Sequence, residues 1–214
     1  LVWDKIFPYS SYLMATFAPY ADNAILEFKT KSNQIEHLLD YPGDKKHVLI
    51  SFSVNTRRKI TQEEKEVASL DQRLAAATEA ARAGYKVGFH FDPVYYYPGW
   101  EKEYQDTVKE VLGGFLPRQI GWVSVGVLRF APPLKELLYE RSRHVMEMEL
   151  FPSSVDGKMR LFYPKREEVL GKMVEFIKAY TNKVYLCMEP PEMWKDLSLE
   201  SGRLNQRIFE DYWH

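Results

Sequence analysis

Three polar side chains late in otherwise apolar segments have the chemistry to bind a ligand. Ser53 and Asn55 belong to the run 47–55, and Asp92 belongs to the run 86–93. Because residues two apart on a strand share a face, the pattern predicts that Ser53 and Asn55 point together. Buried polar groups need hydrogen-bond partners, so this pair either binds a ligand or satisfies nearby backbone groups.

The segments that carry these residues predict a strand–helix–strand unit. Residues 47–55 and 86–93 are apolar and rich in β-branched and aromatic side chains, whereas residues 69–85 have a helical composition with a stop at Gly84. This succession forms a βαβ unit with parallel strands. Since ligands bind at the carboxyl ends of the strands in parallel α/β folds, the three polar residues fall where a site is expected.

The rest of the chain repeats this succession, about four units in all, and then changes. Further strands are predicted at 24–30, 121–128 and 183–188, helices at 34–39, 100–112, 132–143 and 166–180, and irregular polar segments at 56–68 and 199–214. Two extended runs, 146–151 and 158–163, flank Asp156-Gly157, which predicts a β-hairpin. The predicted fold class is α/β: a parallel sheet with outer helices in an open or incomplete barrel, plus a late β-hairpin.

The composition of the chain limits the classes of function that it can have. The 214 residues are 45% hydrophobic, enough for one substantial core, and the formal net charge of −1 gives no overall electrostatic case for nucleic acid. The single cysteine, Cys187, excludes a disulfide framework and a cysteine-ligated metal site built from this chain alone. There is no apolar run of about 18 residues that would predict a membrane span. Neither a signal-peptide pattern nor an initiator Met is present at Leu1, so the expectation is a cytoplasmic protein and a fragment of a longer polypeptide.

Several stretches, taken in order, resemble spore photoproduct lyase and its radical S-adenosylmethionine relatives. The stretches are Phe-Lys-Thr-Lys (28–31), Phe-Ser-Val-Asn-Thr-Arg (52–57), Ala-Gly-Tyr-Lys-Val-Gly-Phe (83–89), Arg-Phe (129–130) and Gly-Lys-Met-Arg-Leu-Phe-Tyr-Pro-Lys-Arg-Glu-Glu (157–168). No single stretch is specific, but their order and spacing over residues 25–168 argue against chance similarity. Residues 169–214 match more weakly.

The resemblance implies a partial (β/α)₆ barrel of the radical S-adenosylmethionine type. Residues 1–144 look like its third strand onward, with a β-hairpin, helix, strand and tail packed on it over 145–214. The family cleaves S-adenosylmethionine at a [4Fe–4S] cluster held by three cysteines spaced C-x₃-C-x₂-C. The resulting 5′-deoxyadenosyl radical abstracts hydrogen from a thymine photoproduct in DNA and thereby starts its repair.

This chain lacks the three-cysteine loop of the family. It would therefore hold the cluster only through residues upstream of it, and on its own it should be inactive as a carbon–carbon lyase. Two alternatives stay open at this point. One is a radical S-adenosylmethionine enzyme with a non-DNA substrate, and the other is a catalytically inert binding domain.

The resemblance also implies a set of cofactor-binding residues. Lys31 aligns with a lysine that contacts the carboxylate of S-adenosylmethionine, and a flexible ammonium at a strand end suits that role. Ser53 and Asn55 align with a pair that hydrogen-bonds the methionine and ribose parts. Asp92 departs from the family, which commonly has a small residue there; its carboxylate either binds a ribose hydroxyl or caps the next turn. His90 alternates with Asp92 and is expected to share its face.

Four further residues align near the family's substrate. Tyr96 has an aromatic ring able to stack on a base. Arg129 and Arg141 carry the guanidinium group that suits phosphate recognition, and Lys158 begins the basic second arm of the hairpin. The expected partner is DNA containing pyrimidine photoproducts, although two glutamates on the first hairpin arm weaken the electrostatic case.

Overall fold

A computed structural model gives the structure of the chain and describes residues 1–141, 148–154 and 156–213, with every side chain in these ranges except those of Arg141 and Phe209. The strands, in chain order, are β1 (Leu26–Thr30), β2 (Val48–Ser53), β3 (Lys86–Val94), β4 (Ile120–Val127), β5 (Arg129–Phe130), β6 (Leu150–Pro152), β7 (Met159–Leu161) and β8 (Val184–Leu186). Five of them form a parallel sheet in the order β1-β2-β3-β4-β8, and three form an antiparallel sheet in the order β5-β7-β6. The predicted α/β fold class with a late hairpin is confirmed.

The helices lie between and after these strands. They are α1 (Tyr9–Phe17), α2 (Glu36–Leu39), α3 (Arg57–Glu63), α4 (Leu70–Arg82), α5 (Trp100–Leu112), α6 (Lys135–Arg141), α7 (Tyr163–Lys178), α8 (Pro191–Asp196) and α9 (Ser201–Trp213), with 3₁₀ turns at Val2–Lys5, Ala18–Tyr20 and Pro132–Leu134. None of the helices in the described part of the chain has both the length and the apolar character needed to cross a bilayer.

Two of these helices stand where the sequence predicted irregular polar segments. Helix α3 begins after Thr56, whose hydroxyl accepts a hydrogen bond from the Lys59 backbone amide (3.2 Å), and it buries Lys59 and Ile60. Helix α9 replaces the predicted irregular tail and buries Leu204 and Tyr212. Both predictions were wrong because a high polar content hid a cap in one segment and an amphipathic pattern in the other.

Helix α4 and the hairpin form as their local sequences predict. Ser69 and Gln72 make a reciprocal capping box at the start of α4, and Gly84 ends it in the left-handed region at φ +94°. Gly157 also takes a left-handed conformation, at φ +68°, in the turn that joins β6 to β7. Residues 146 and 147 of the first predicted hairpin run, and residue 155 in the turn, lie outside the described residues.

The two faces of the parallel sheet differ sharply in polarity. One face is apolar and forms a single core with the helices, and its strand members include Ile50, Phe52, Phe89, Phe91, Val123 and Val125. The other, called here the inner face, carries polar side chains at alternate positions. Because the strands are parallel, their carboxyl ends meet at one edge, where inner-face side chains from several strands come together.

Helix α9 covers the amino end of the inner face. The Asp211 carboxylate pairs with the Lys183 ammonium, and it lies 3.4 Å from the Lys86 ammonium. Next to them, the Tyr212 hydroxyl lies 2.8 Å from the position that a Cβ would take at Gly121. The Tyr212 ring fits at this point because Gly121 has no side chain.

Candidate functional site

A cleft of about 460 Å³ opens at the carboxyl edge of the parallel sheet. Three residues singled out from the sequence, Asp92, Arg129 and Lys158, line it together with Lys29 and Cys187. They come from the end of β3, from β5 and from the hairpin turn before β7. The antiparallel sheet therefore forms one wall of the cleft and the strand ends form its floor.

Asp92 is held on the floor of the cleft by three donors. The Lys29 ammonium lies 2.9 Å from Oδ1, the Ser124 hydroxyl donates to Oδ2 at 2.9 Å, and His90 Nδ1 lies 3.2 Å from Oδ2. Burial would raise the pKa of Asp92, but the hydrogen bonds from His90 and Lys29 outweigh it and lower that pKa to about 2. Asp92 is therefore ionised throughout the physiological range.

His90 lies between two carboxylates. Its Nε2 is 2.8 Å from Glu27 Oε1, and its ring is only 3% exposed. Burial would lower the pKa of His90, but the hydrogen bonds with Asp92 and Glu27 raise it overall. Because both neighbours are acceptors, a protonated ring that donates from both nitrogens satisfies the site best.

Glu27 extends this network across the inner face. Besides His90, its Oε1 accepts hydrogen bonds from the Ser51 hydroxyl (2.5 Å) and from Trp122 Nε1 (3.2 Å). Burial would raise the pKa of Glu27, but these donors lower it overall. Since both His90 nitrogens face carboxylates, the ring has no nitrogen free to activate a serine hydroxyl, and the arrangement is unlike a Ser-His nucleophile.

Ser53 and Asn55 are both buried, at 7% and 5% exposure, but they have different neighbours. Ser53 lies opposite His90 in the β2–β3 register. The Asn55 amide donates to the Pro93 carbonyl oxygen (2.9 Å), and its Oδ1 accepts from Tyr104 Oη (2.6 Å) and from the Thr56 amide. These contacts leave one amide N–H of Asn55 for a ligand.

Lys31 and Tyr96 are not among the residues that line the cleft. The Lys31 ammonium pairs with the Glu64 carboxylate, which also accepts a hydrogen bond from Arg73 Nη2. Tyr96 lines a separate cavity of about 470 Å³, where the Lys165 ammonium lies 5.1 Å from its ring centroid. A ligand carboxylate at Lys31 would have to compete with that of Glu64.

Arg141 ends helix α6, and its side chain lies outside the described residues. The substrate contact that the sequence assigned to it stays a prediction.

A buried ion cluster fixes the hairpin over the cleft. Arg160 on β7 donates to Asp156 Oδ2 (2.5 Å) and to the Met188 carbonyl oxygen (3.1 Å). Glu189, whose side chain is 1% exposed, lies 3.0 Å from Arg166 Nε and 3.7 Å from Arg160 Nη1. Burial raises the pKa of Glu189 although the two guanidiniums oppose that shift. The Arg160 guanidinium thus makes its contacts within the protein, whereas Lys158, two residues earlier, lines the cleft.

Sequence reasoning missed Glu27, Lys29 and Ser124. Each alternates with apolar residues on its strand, so the signal was available: Glu27 and Lys29 flank Phe28 on β1, and Ser124 stands between two valines on β4. Polar residues at alternate positions in several strands indicate a shared polar face. Which of them meet required the register of the sheet.

Comparisons with known proteins identify similar sequences. A profile of the spore photoproduct lyase family matches residues 11–150. The spore photoproduct lyase of Geobacillus sp. (strain Y412MC61) is 36% identical over 132 residues, which cover 58% of this chain and 37% of that protein. The spore photoproduct lyase of Bacillus subtilis (strain 168) is 33% identical over 133 residues, which cover 61% of this chain and 38% of that protein.

Solved structures give the same result at the level of the fold. A spore photoproduct lyase mutant with dinucleoside spore photoproduct matches with a TM-score of 0.65, and a double mutant with bound AdoMet and dinucleoside spore photoproduct matches with a TM-score of 0.63. Both are 28% identical, and the match covers 76% of this chain and 50% of each structure. The matched part is thus at most half the length of these relatives. The family profile covers well over half of this chain, which therefore belongs to the spore photoproduct lyase family.

Proposed function

We propose that this chain is the substrate-facing part of a radical S-adenosylmethionine lyase that repairs thymine photoproducts in DNA. One observation carries the proposal: Asp92, assigned to the cofactor, and Arg129 and Lys158, assigned to the substrate, line the same cleft. An enzyme that moves a hydrogen atom between cofactor and substrate needs the two side by side. The similar structures that hold AdoMet, dinucleoside spore photoproduct or both support this proposal.

Arg129 and Lys158 are suited to bind the phosphate that links two nucleosides. Among the described residues, no carboxylate lies within salt-bridge distance of either side chain, whereas Lys29 is neutralised by Asp92. The cleft therefore offers two cations that lack a salt-bridge partner among the described residues, beside a single paired carboxylate. A phosphodiester is the part of DNA that such cations recognise.

The proposed binding of S-adenosylmethionine rests on four side chains of this chain. The Asp92 carboxylate has one acceptor position left on Oδ1, which suits a ribose hydroxyl, and Ser53 lies on the neighbouring strand. Lys31 and Asn55 complete the proposed set and have the competing partners described above. When bound, S-adenosylmethionine would supply the radical that abstracts hydrogen, and these residues would orient it.

The [4Fe–4S] cluster does not fit the residues of this chain. Such a cluster is held by several cysteine thiolates, and the sequence contains the single Cys187. Burial raises the pKa of the Cys187 thiol, which further disfavours a thiolate ligand. The cluster would therefore have to be held by residues outside these 214.

The proposal is tested by nucleotide binding to the chain as it stands. Dinucleoside spore photoproduct joined by its phosphate should bind more tightly than the undamaged thymine dinucleotide. Arg129→Gln and Lys158→Gln should each weaken binding, because each removes one cation that can contact the single phosphate of the probe. Lys109→Gln, an equal change of charge on the exposed side of α5, is the matched control. Equal affinity for damaged and undamaged probes, or an equal effect of the control, would refute the proposal.

A further inference from the structure

The Asp92 carboxylate has a defined set of free and occupied acceptor positions. Oδ2 takes two donors, Ser124 and His90, and Oδ1 takes one, Lys29. A carboxylate oxygen accepts about two hydrogen bonds, so Oδ2 is filled and Oδ1 keeps one position, for which the only nearby competitor among the cleft's lining residues is the weak thiol donor of Cys187. Because Asp92 lines the cleft, that position is where a ligand can reach this group.

His90 determines which oxygen is filled. Its Nδ1 faces Asp92 and its Nε2 faces Glu27, and Glu27 is in turn held by the Ser51 hydroxyl and the Trp122 indole. The ring cannot rotate without losing contacts on both sides. The position of Asp92 thus depends on residues from β1, β2, β3 and β4 through this one side chain.

We propose that His90 is a positioning residue: it turns Asp92 so that only Oδ1 accepts from the ligand, and the ligand group received there is a single hydroxyl. The hydroxyl's identity, a ribose hydroxyl of the cofactor, rests on the proposed function. The positioning itself does not, because it follows from contacts within the chain. A ligand without that hydroxyl would leave the free acceptor position of Oδ1 unpaired in the bound state.

The charges around His90 favour its protonated form. Glu27 and Asp92 face its two nitrogens, and the Lys29 ammonium lies beyond Asp92 and opposes them. Tyr185 on β8 presents an edge-on ring with a centroid separation of 6.3 Å, and the Cys187 thiol lies near Asp92. Of these groups only the two carboxylates contact the imidazole nitrogens, so a neutral ring would leave one of them without its donor.

The first experiment measures the interaction of His90 with Asp92 directly in the 214-residue chain. ¹⁵N NMR at pH 7 should show both nitrogens of His90 protonated, and ¹³C NMR of the Asp92 carboxyl should give a pKa near 2. In His90→Gln the Asp92 pKa should rise by about one unit, because one charged donor is lost. A neutral His90 at pH 7, or an unchanged Asp92 pKa in the variant, would overturn the inference.

The second experiment tests whether a ribose hydroxyl binds at the Asp92 carboxylate. The probes are adenosine, which has the ribose hydroxyls at C2′ and C3′, and 2′,3′-dideoxyadenosine, which lacks both and is otherwise identical. The wild-type chain should prefer the first probe by about tenfold, and His90→Gln should lose that preference. His37→Gln, on the short helix α2, is the matched control and should keep it. If the wild-type chain binds neither probe, the proposed function is contradicted, while the NMR result still decides the role of His90.

Discussion

The indole Nε1 of Trp122 on β4 lies 3.2 Å from the carboxylate of Glu27 on β1, although two strands separate them. Neighbouring strands are about 4.8 Å apart, so β1 and β4 of a flat sheet would be about 14 Å apart. Side chains stand roughly perpendicular to a sheet. The contact therefore requires a sheet that curls toward its inner face, as the wall of a partial barrel does.

This curvature makes the inner face sensitive to added volume, and Gly88 is the sharpest test. A Cβ at Gly88 would overlap the Ser51 hydroxyl oxygen, and moving that hydroxyl breaks its hydrogen bond to Glu27. Gly88→Ala should lower the free energy of unfolding by about 1–3 kcal/mol in urea titrations. Gly114→Ala has open space around its Cβ and an ordinary φ, and it should change stability little. Equal stability of the two variants would contradict the described packing of Gly88 against Ser51.

Much of the site was predictable from local chemistry, and the remainder depended on tertiary contacts. Asp92 and the Asp156-Gly157 turn follow from strand ends and turn residues, which are local features. The link from Glu27 to His90 joins residues on non-adjacent strands, and nothing local to either residue indicates it. Lys59 belongs to the segment 56–68, which its many charged residues made appear irregular, yet its side chain is buried and its ammonium lies about 5 Å from the rings of Tyr95 and Tyr97.

Asp92 should contribute to stability in a defined acidic range. A folded-state pKa lowered from 3.8 to about 2 means that its contribution is fully present above pH 4 and is lost as the pH falls through about 2. The expected size is about 2 kcal/mol. Urea unfolding of Asp92→Asn across pH 2–5 should lack this part of the pH dependence.

The matched control for this experiment is Asp106→Asn. Asp106 is exposed on α5, and within the part of the chain that the structure describes its salt-bridge partner is Lys102, one turn away, a contact of little energetic weight. Its variant should retain the wild-type loss of stability between pH 4 and pH 2. An Asp92→Asn curve that parallels the wild type would show that Lys29, Ser124 and His90 do not stabilise the charged carboxylate.

The contribution of His90 to stability should have the opposite pH dependence, and it should change at higher pH. Its folded-state pKa is raised above 6.5, so its contribution is fully present below pH 6.5 and is lost as the pH rises through the folded-state value. The wild-type chain should therefore become less stable on passing from pH 6 to more alkaline conditions, and His90→Gln should show a flatter curve. Thermal unfolding followed by circular dichroism at several pH values measures this. A wild-type curve as flat as that of the variant would mean that the ring is neutral between its two carboxylates.

Lys158 and Arg160 should separate binding from stability, although both are cations of the same hairpin. Arg160 is buried and contacts Asp156, Met188 and Glu189, so Arg160→Gln should lower the free energy of unfolding by about 3 kcal/mol. Lys158 lines the cleft without a carboxylate partner among the described residues, so Lys158→Gln should change stability by less than about 0.5 kcal/mol. Its effect should appear instead as weaker binding of a thymine dinucleotide. Urea titration and fluorescence anisotropy on the same two variants measure both quantities, and a destabilised Lys158→Gln with unchanged affinity would remove Lys158 from the cleft's binding surface.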